Sequence, residues 1–335
     1  MTIGSLFEQS IAAEFPHEFT PHQREAVSAI GSFLADPRND QAFVLRGYAG
    51  TGKTSLVSAV VRVWRKLQRP VVLLAPTGRA AKVFSLHAGL PAHTIHRVIY
   101  RQKSIEGEDT QIVRGWNNAK SALFIVDEAS MVANDGGNTL FGTGRLLDDL
   151  IQYIYSGENC RLMMVGDTAQ LPPVGEDESP ALQKRVLEGY GLHVRGCELT
   201  DVVRQASASA VLRNATRLRC QIGTLSGTPL PTTDDFDLER YVNEAGFPLI
   251  EAENHTEVQL MPGDELIDAL EQSYREWGTG ETIVVTRTNK RANIFNNGIR
   301  SRILERDEVL NRGELIMAVK NNYYWTVKAA EGLPE

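Results

Sequence analysis

The octapeptide GYAGTGKT, Gly47 to Thr54, constrains this chain more than any other stretch. It lies between an apolar run, QAFVLRG, and a segment of helical periodicity, TGKTSLVSAVVRVWRKLQ. A strand that breaks into a glycine-rich turn and re-enters a helix lets backbone N–H groups point inward around an anion. The positive end of the helix dipole then adds to the attraction. The spacing is that of the phosphate-binding loop G-x-x-x-x-G-K-[ST], in the strand–turn–helix context that pattern requires. Gly47, Ala49, Gly50, Thr51, Gly52, Lys53, Thr54 and Ser55 are therefore the expected nucleotide cradle. Lys53 is expected to reach the β- and γ-phosphates of ATP, and the Thr54 hydroxyl to ligate Mg²⁺.

Three further runs, PVVLLAPT, ALFIVDEAS and CRLMMVGD, are almost continuously apolar, as strands buried on both faces of a parallel sheet are. Between the runs fall helical patterns. TPHQREAVSAIGSFLAD opens on an N-cap Thr20 and a proline and ends near Asp36, and GRAAKVFSLHAG is a shorter helix. The alternation predicts an α/β fold with a parallel sheet flanked by helices. YRQKSIEGEDTQIVRGW is read as a small hairpin insertion within 98–116, with Gly107 near its turn. From Ile222 the texture changes to IGTLSGTPLPTTDDFD, rich in turn formers. Beyond it GDELIDALEQSYREWG predicts a helix, ETIVVTRTN a strand and KRANIFNNGIRSRIL a helix. The expected organisation is an N-terminal extension (1–19), a first domain (20–222), a linker or irregular excursion (223–256) and part of a second α/β domain (257–335).

Among the 335 residues, 42% are apolar and 23% charged, which describes a globular chain with a sizeable core. No apolar run approaches the roughly 20 residues of a membrane span, and MTIGSLFEQSIAAEF lacks a basic flank and a signal-type segment. The expectation is a cytoplasmic protein with no membrane partner. Cys160, Cys197 and Cys220 are far apart and form no C-x-x-C pair, so buried free thiols are expected rather than disulfides or a zinc site. The net charge of −7 is unevenly spread. Between Asp40 and Glu106 there is no acidic residue, while Arg46, Lys53, Arg79, Lys82, Arg97, Arg101 and Lys103 all fall there. Arg62, Arg65, Lys66 and Arg69, in the same interval, read as a solvated helix face.

A phosphate-loop ATPase also needs carboxylates at the end of a neighbouring strand. LFIVDEAS supplies them, with Asp127 beside the metal and Glu128 as the base that orients or deprotonates water. Taken in order, GYAGTGKT, APTGRAAK, TIHRVI, VDEAS, GDTAQLPPV and ELTDVVRQ resemble superfamily 1 helicases, in particular the RecD-like and Dda-like branch. The likeness runs from about Thr20 to Gln205. It implies RecA-like motor domains and ATP-driven movement on single-stranded DNA, 5′ to 3′. By the same resemblance Gln170 senses the γ-phosphate, Arg204 contacts it, and Gln23 reads adenine. A neutral amide suits a sensor, and a planar guanidinium suits a phosphate. Arg217 and Arg219 fit no motif. Pro76, Thr77, Arg79, Thr94 and His96 are implied DNA contacts of the first domain, and Thr286 and Asn289 of the second. The hairpin would be a strand-separating pin. Without the resemblance, His96 would read as a packing residue, and Gln23 and Gln170 as surface amides.

The sequence departs from that family late in the chain. Neither an HKAQG-like stretch nor a TRA- or TRG-like arginine motif occurs. An arginine supplied to the transferring phosphoryl group contributes roughly 10³ to 10⁵ in rate in related systems. The expectation is thus a C-terminally truncated ATP-dependent DNA helicase, weak or inactive alone. The alternative is a nucleotide-gated single-stranded DNA-binding module without productive hydrolysis. No residue pattern names a protein partner, in DNA repair, recombination or elsewhere.

Overall fold

The computed structural model describes residues 2–103, 111–134, 142–201, 209–226, 249–252 and 257–316. The chain divides into two compact units, Met1–Val258 and Gln259–Glu335.

The first unit is built on a six-stranded parallel sheet. Its strands are β1 (Gln41–Gly47), β2 (Val71–Ala75), β3 (Ala92–Thr94), β6 (Leu123–Val126), β7 (Arg161–Gly166) and β8 (His193–Leu199). They lie side by side in the order β3-β2-β6-β7-β1-β8. The period of two sends successive residues to opposite faces, so a strand covered on both sides has no polar face to show. In β1, Phe43 and Leu45 join one core, with Leu73, Leu123, Ile125, Met163 and Val165. Ala42 and Val44 join the other, with Leu74, Phe124, Val126, Leu162 and Met164. Helices α1 (Ile3–Glu14), α2 (Pro21–Ala35), α3 (Lys53–Lys66) and α4 (Gly78–Ala88) cover the first face. Helices α5 (Ile95–Ile99), α6 (Leu146–Tyr155) and α7 (Lys184–Glu188) cover the second.

The four expected buried strands are present, and two edge strands join them. β3 has three residues and β8 reads HVRGCEL, so neither carries the apolar run that marks a central strand. The N-terminal residues form α1, which packs on α2 and α3 through Ile11, Phe15 and a Phe7–Trp64 stack at 6.1 Å. Where α1 crosses α2, a Cβ at Gly31 would lie 2.6 Å from the Gly4 carbonyl oxygen, so the approach depends on glycine. Glu14 of α1 pairs with Arg62 at 3.1 Å and with Lys66, which gives part of the basic α3 face a protein partner rather than solvent alone.

Between α5 and the third core strand the chain forms the expected hairpin. β4 (Tyr100–Lys103) and β5 (Gln111–Arg114) pair antiparallel, Tyr100 opposite Arg114 and Lys103 opposite Gln111. Its turn, with Gly107, lies outside the described residues. Helix α8 (Ala210–Ser226) runs past Ile222, where the composition changes. Most of the expected linker or excursion, residues 227–248 and 253–256, lies outside the described residues; Glu251 N–H donates to Asn214 Oδ1 of α8 at 2.8 Å and Asn214 Nδ2 donates to the Glu251 carbonyl at 3.0 Å.

In the second unit the described residues form α9 (Leu266–Glu281), α10 (Asn289–Gly298) and a π-helical turn, Ile299–Ile303. Both helices were expected. The strand expected at ETIVVTRTN is not formed: residues 282–288 are irregular, with Ile283 70% and Val285 86% exposed. A strand requires a ladder partner for its backbone, and no described residue of this unit supplies one. No helix among the described residues is long and apolar enough to cross a membrane.

Candidate nucleotide and nucleic-acid site

The sheet order gathers the sequence motifs along one edge. Ligands of open α/β sheets bind beyond the carboxyl ends of the strands. Here β1 runs into the glycine loop, β7 into Asp167 and Gln170, and β6 into Asp127 and Glu128. β2 leads to Pro76 and Thr77, and β3 ends on Thr94, opposite Ala75 in the ladder. Adjacent strands lie about 4.8 Å apart, so the sheet spaces these groups as a ruler would.

The loop itself is held by its own backbone and one distant side chain. Gly50 and Gly52 take φ +75° and +81°, left-handed values that side chains disfavour. Thr51 Oγ1 donates to the Tyr48 carbonyl at 2.7 Å, and Tyr48 N–H donates to the Leu199 carbonyl at 3.1 Å. Helix α3 starts at Lys53, and among the described residues no side chain caps its first turn, which leaves the N–H groups there to meet phosphate oxygens. Lys53 Nζ donates to the carbonyls of Gly47 at 2.6 Å and Tyr48 at 2.9 Å. Burial pushes its pKa down, Asp167 pulls it up, and Arg219 pushes it down again. Gly47, Ala49, Thr54 and Ser55 fall in the loop and the first turn of α3 as the motif requires.

Burial pushes the Asp127 carboxyl above its ordinary range, against the Glu128 N–H at 3.0 Å and the Lys53 charge. Glu128 is also raised, by burial first and by the Asp127 charge second. Its backbone is left-handed, φ +53°, a conformation that costs a non-glycine residue about 1 kcal/mol or more. Gln170 is exposed, and its carboxamide meets the same group: Ser130 Oγ donates to Gln170 Oε1 at 3.3 Å, and Gln170 hydrogen-bonds Glu128. The half-buried Asp127 and the α3 terminus, which no side chain caps among the described residues, fit Mg²⁺ and a triphosphate: a carboxylate at a strand end and helix N–H groups are the donor set such a pair needs.

Gln23 stands beside the loop, but not as a free base-reading amide. It is 2% exposed. Its Oε1 accepts from Thr20 N–H at 3.1 Å, completing a capping box, and its Nε2 donates to the Thr51 carbonyl at 2.8 Å. A Cβ on Gly52 would lie 2.7 Å from that Nε2, so the glycine makes room for the amide.

On the other side of β6, Thr77 Oγ1 caps α4 by accepting from Ala80 N–H at 3.2 Å, and Thr94 Oγ1 caps α5 through Arg97 N–H at 3.3 Å. Pro76 is half-buried and Arg79 is exposed beside it on α4. His96 is half-buried against Tyr100, ring centres 5.6 Å apart, and burial lowers its pKa. Arg204 lies outside the described residues. Thr286 and Asn289 belong to the second unit: Thr286 Oγ1 donates to the Thr288 carbonyl at 3.1 Å, and Asn289 opens α10.

The residue that sequence reasoning set aside is Arg219. Its guanidinium pairs with the Asp167 carboxylate and lies 3.9 Å from the centre of the Tyr48 ring. Asp167 is the second residue of GDTAQLPPV and Tyr48 is in the glycine loop, so Arg219 reaches two motifs at once. The neighbouring basic residues turn the other way: Arg213 and Arg217, four apart on α8, pair with Glu251 at 3.7 and 2.7 Å. Two positions along a helix rotate a side chain by about 200°, which sets Arg219 on the opposite face. Only the helix boundaries make that division readable.

The profile of an AAA domain family, AAA_30, matches residues 18–222. The uncharacterized protein MJ1519 of Methanocaldococcus jannaschii is 34% identical over 39% of this chain and 11% of its own length. The ATP-dependent RecD2 DNA helicase of Deinococcus radiodurans is 31% identical over 51% of this chain and 21% of its own length. The ATP-dependent DNA helicase dda of Enterobacteria phage T4 is 22% identical over 90% of this chain and 61% of its own length. This chain thus spans less than two thirds of the length of each. With the phosphate loop, the strand-end carboxylates and the Gln170 loop on one sheet edge and the profile matched over residues 18–222, the chain belongs to the AAA domain family AAA_30 and is similar to the RecD2 and dda helicases.

Proposed function

We propose that this chain is the ATP-hydrolysing motor portion of a DNA helicase that moves on single-stranded DNA, with 5′-to-3′ polarity by resemblance. The observation that carries the reading is the order of strands: nucleotide groups on β1, β7 and β6 pass without a gap into Pro76, Thr77 and Thr94 on β2 and β3. In the reaction Lys53 binds the β- and γ-phosphates and Glu128, held beside Asp127, orients and deprotonates the attacking water. Mg²⁺, held through Thr54 and Asp127, supplies charge neutralisation on the phosphate oxygens. Gln170 reports the γ-phosphate through its contacts with Glu128 and Ser130. Arg204 contacts the same phosphate, and Gln23 approaches adenine with its remaining N–H while bracing the loop. Thr77, Arg79, Thr94 and His96 hold the DNA backbone and bases, and β4–β5 forms the pin. The second unit, with Thr286 and Asn289, opens a second motor domain on the strength of the TRTN resemblance.

Steady-state ATP hydrolysis with Mg²⁺, with and without single-stranded DNA, beside Lys53→Ala and Gln170→Ala, tests the reading. Turnover that rises with DNA, vanishes in Lys53→Ala and loses its DNA response in Gln170→Ala supports it. ATP and DNA binding without turnover favours the nucleotide-gated binding module instead. No ATP binding refutes both.

A further inference from the structure

We infer that Arg219 is a phosphate-binding residue of the nucleotide site: a cation supplied in cis by α8, stacked on Tyr48, that hydrogen-bonds the terminal phosphate of a bound triphosphate. The inference rests on the ATPase reading and adds to it a residue outside every motif named above.

Four observations converge on it. The Arg219 side chain is 10% exposed, on the ring of Tyr48, a residue of the phosphate loop itself. A guanidinium has five N–H donors in a rigid fork. Its pairing with Asp167 does not use them all, and Nε, buried, has no hydrogen-bond partner among the described residues. A buried donor left unmade is costly unless a further acceptor completes it. Third, Lys53 Nζ donates to the carbonyls of Gly47 and Tyr48 while Arg219 stacks on the Tyr48 ring, so both cations contact the same residue of the phosphate loop. Finally, Asp167 is 1% exposed and its other oxygen accepts from Ala169 N–H at 3.0 Å, stitching the turn that delivers Gln170. Arg219 is thereby tied through one carboxylate to the loop of the γ-phosphate sensor. A planar, permanently charged group resting on an aromatic ring is pre-organised for a tetrahedral oxyanion, and a lysine there would lose both fork and stack.

The test is equilibrium binding by calorimetry of a non-hydrolysable ATP analogue and of ADP, each with Mg²⁺, to the wild-type chain, Arg219→Ala and Arg219→Lys. Losing a charge-assisted contact to the terminal phosphate weakens the analogue by about tenfold or more, while ADP, which lacks that phosphate, changes by less than about threefold. Arg219→Lys recovers part of the analogue's affinity because the charge persists, and it carries the comparison alone if Arg219→Ala does not fold. A role confined to holding Asp167 and Tyr48 lowers both affinities in parallel, and that result overturns the inference, as does no loss of either. Lys53→Ala separates the two levels. If the wild-type chain binds nucleotide through Lys53 and Arg219→Ala keeps its preference for the triphosphate, only Arg219 is misassigned. If the wild-type chain binds neither nucleotide, the ATPase reading falls and this inference with it.

Discussion

Replacing Gln23 by alanine separates two roles that the motif resemblance fuses. In the structure the carboxamide closes the capping box with Thr20 and carries the Thr51 carbonyl of the phosphate loop. Truncation leaves the buried Thr51 carbonyl without a donor and the half-buried Thr20 N–H without its acceptor, at about 1–3 kcal/mol for each unsatisfied group. It also removes a buried methylene worth about 0.8 kcal/mol and regains about 1.5 kcal/mol of side-chain entropy. The net loss is about 1–5 kcal/mol, which lowers Tm by roughly 3 °C or more for a unit of this size. The assay is a circular dichroism melt, read beside the relative affinities for ATP and GTP. Gln23→Glu is the control: it keeps an acceptor for Thr20 but sets a carboxylate oxygen against the Thr51 carbonyl, so it melts at least as early as Gln23→Ala. A Gln23→Ala protein that melts within about 1 °C of wild type, yet loses its preference for ATP over GTP, would refute the reasoning. Gln23 would then be a base reader and not a brace.

Glu128→Gln is expected to lower turnover by roughly 10²- to 10⁴-fold while nucleotide still binds, because only the base is removed; equal losses of binding and turnover would count against that role. The same variant should melt higher than wild type at neutral pH. A carboxyl whose folded pKa is raised favours the protonated state, so its contribution to stability is present at low pH and lost as pH rises through the raised value. In the pH profile of kcat/KM, which reports the free enzyme, the acid limb is expected above the ordinary glutamate pKa of about 4.3 and the alkaline limb below the ordinary lysine value of about 10.4. Both limbs at the ordinary values would mean that neither group titrates in the rate. Gly31→Ala is expected to loosen α1 from α2, since its Cβ meets the Gly4 carbonyl at 2.6 Å. Overpacking costs about 1–3 kcal/mol and the gain in helix propensity returns about 1 kcal/mol, a net loss of about 0–2 kcal/mol, so a melting temperature above wild type would show that the crossing can shift without penalty.

What the sequence determined by itself is what short stretches encode. A glycine loop between a strand and a helix, an apolar run ending in Asp127 and Glu128, and a Pro-rich turn after Asp167 fix local backbone geometry within a few residues, and the structure keeps each of them. Periodicity also marked the central strands, because burial on both faces leaves no room for polar positions. Tertiary structure alone decided the lateral order that inserts β6 and β7 between β2 and β1, and with it the path from nucleotide groups to Thr77 and Thr94. It decided that the Gln23 amide braces Thr51, 28 residues away. It also decided that Arg219 meets Asp167, 52 residues away, while Arg217 turns to Glu251. The physical reason is range: a turn or a cap is stabilised by neighbours within one helical turn, whereas these pairings are chosen by how helices pack on the sheet, and no local spacing records that choice.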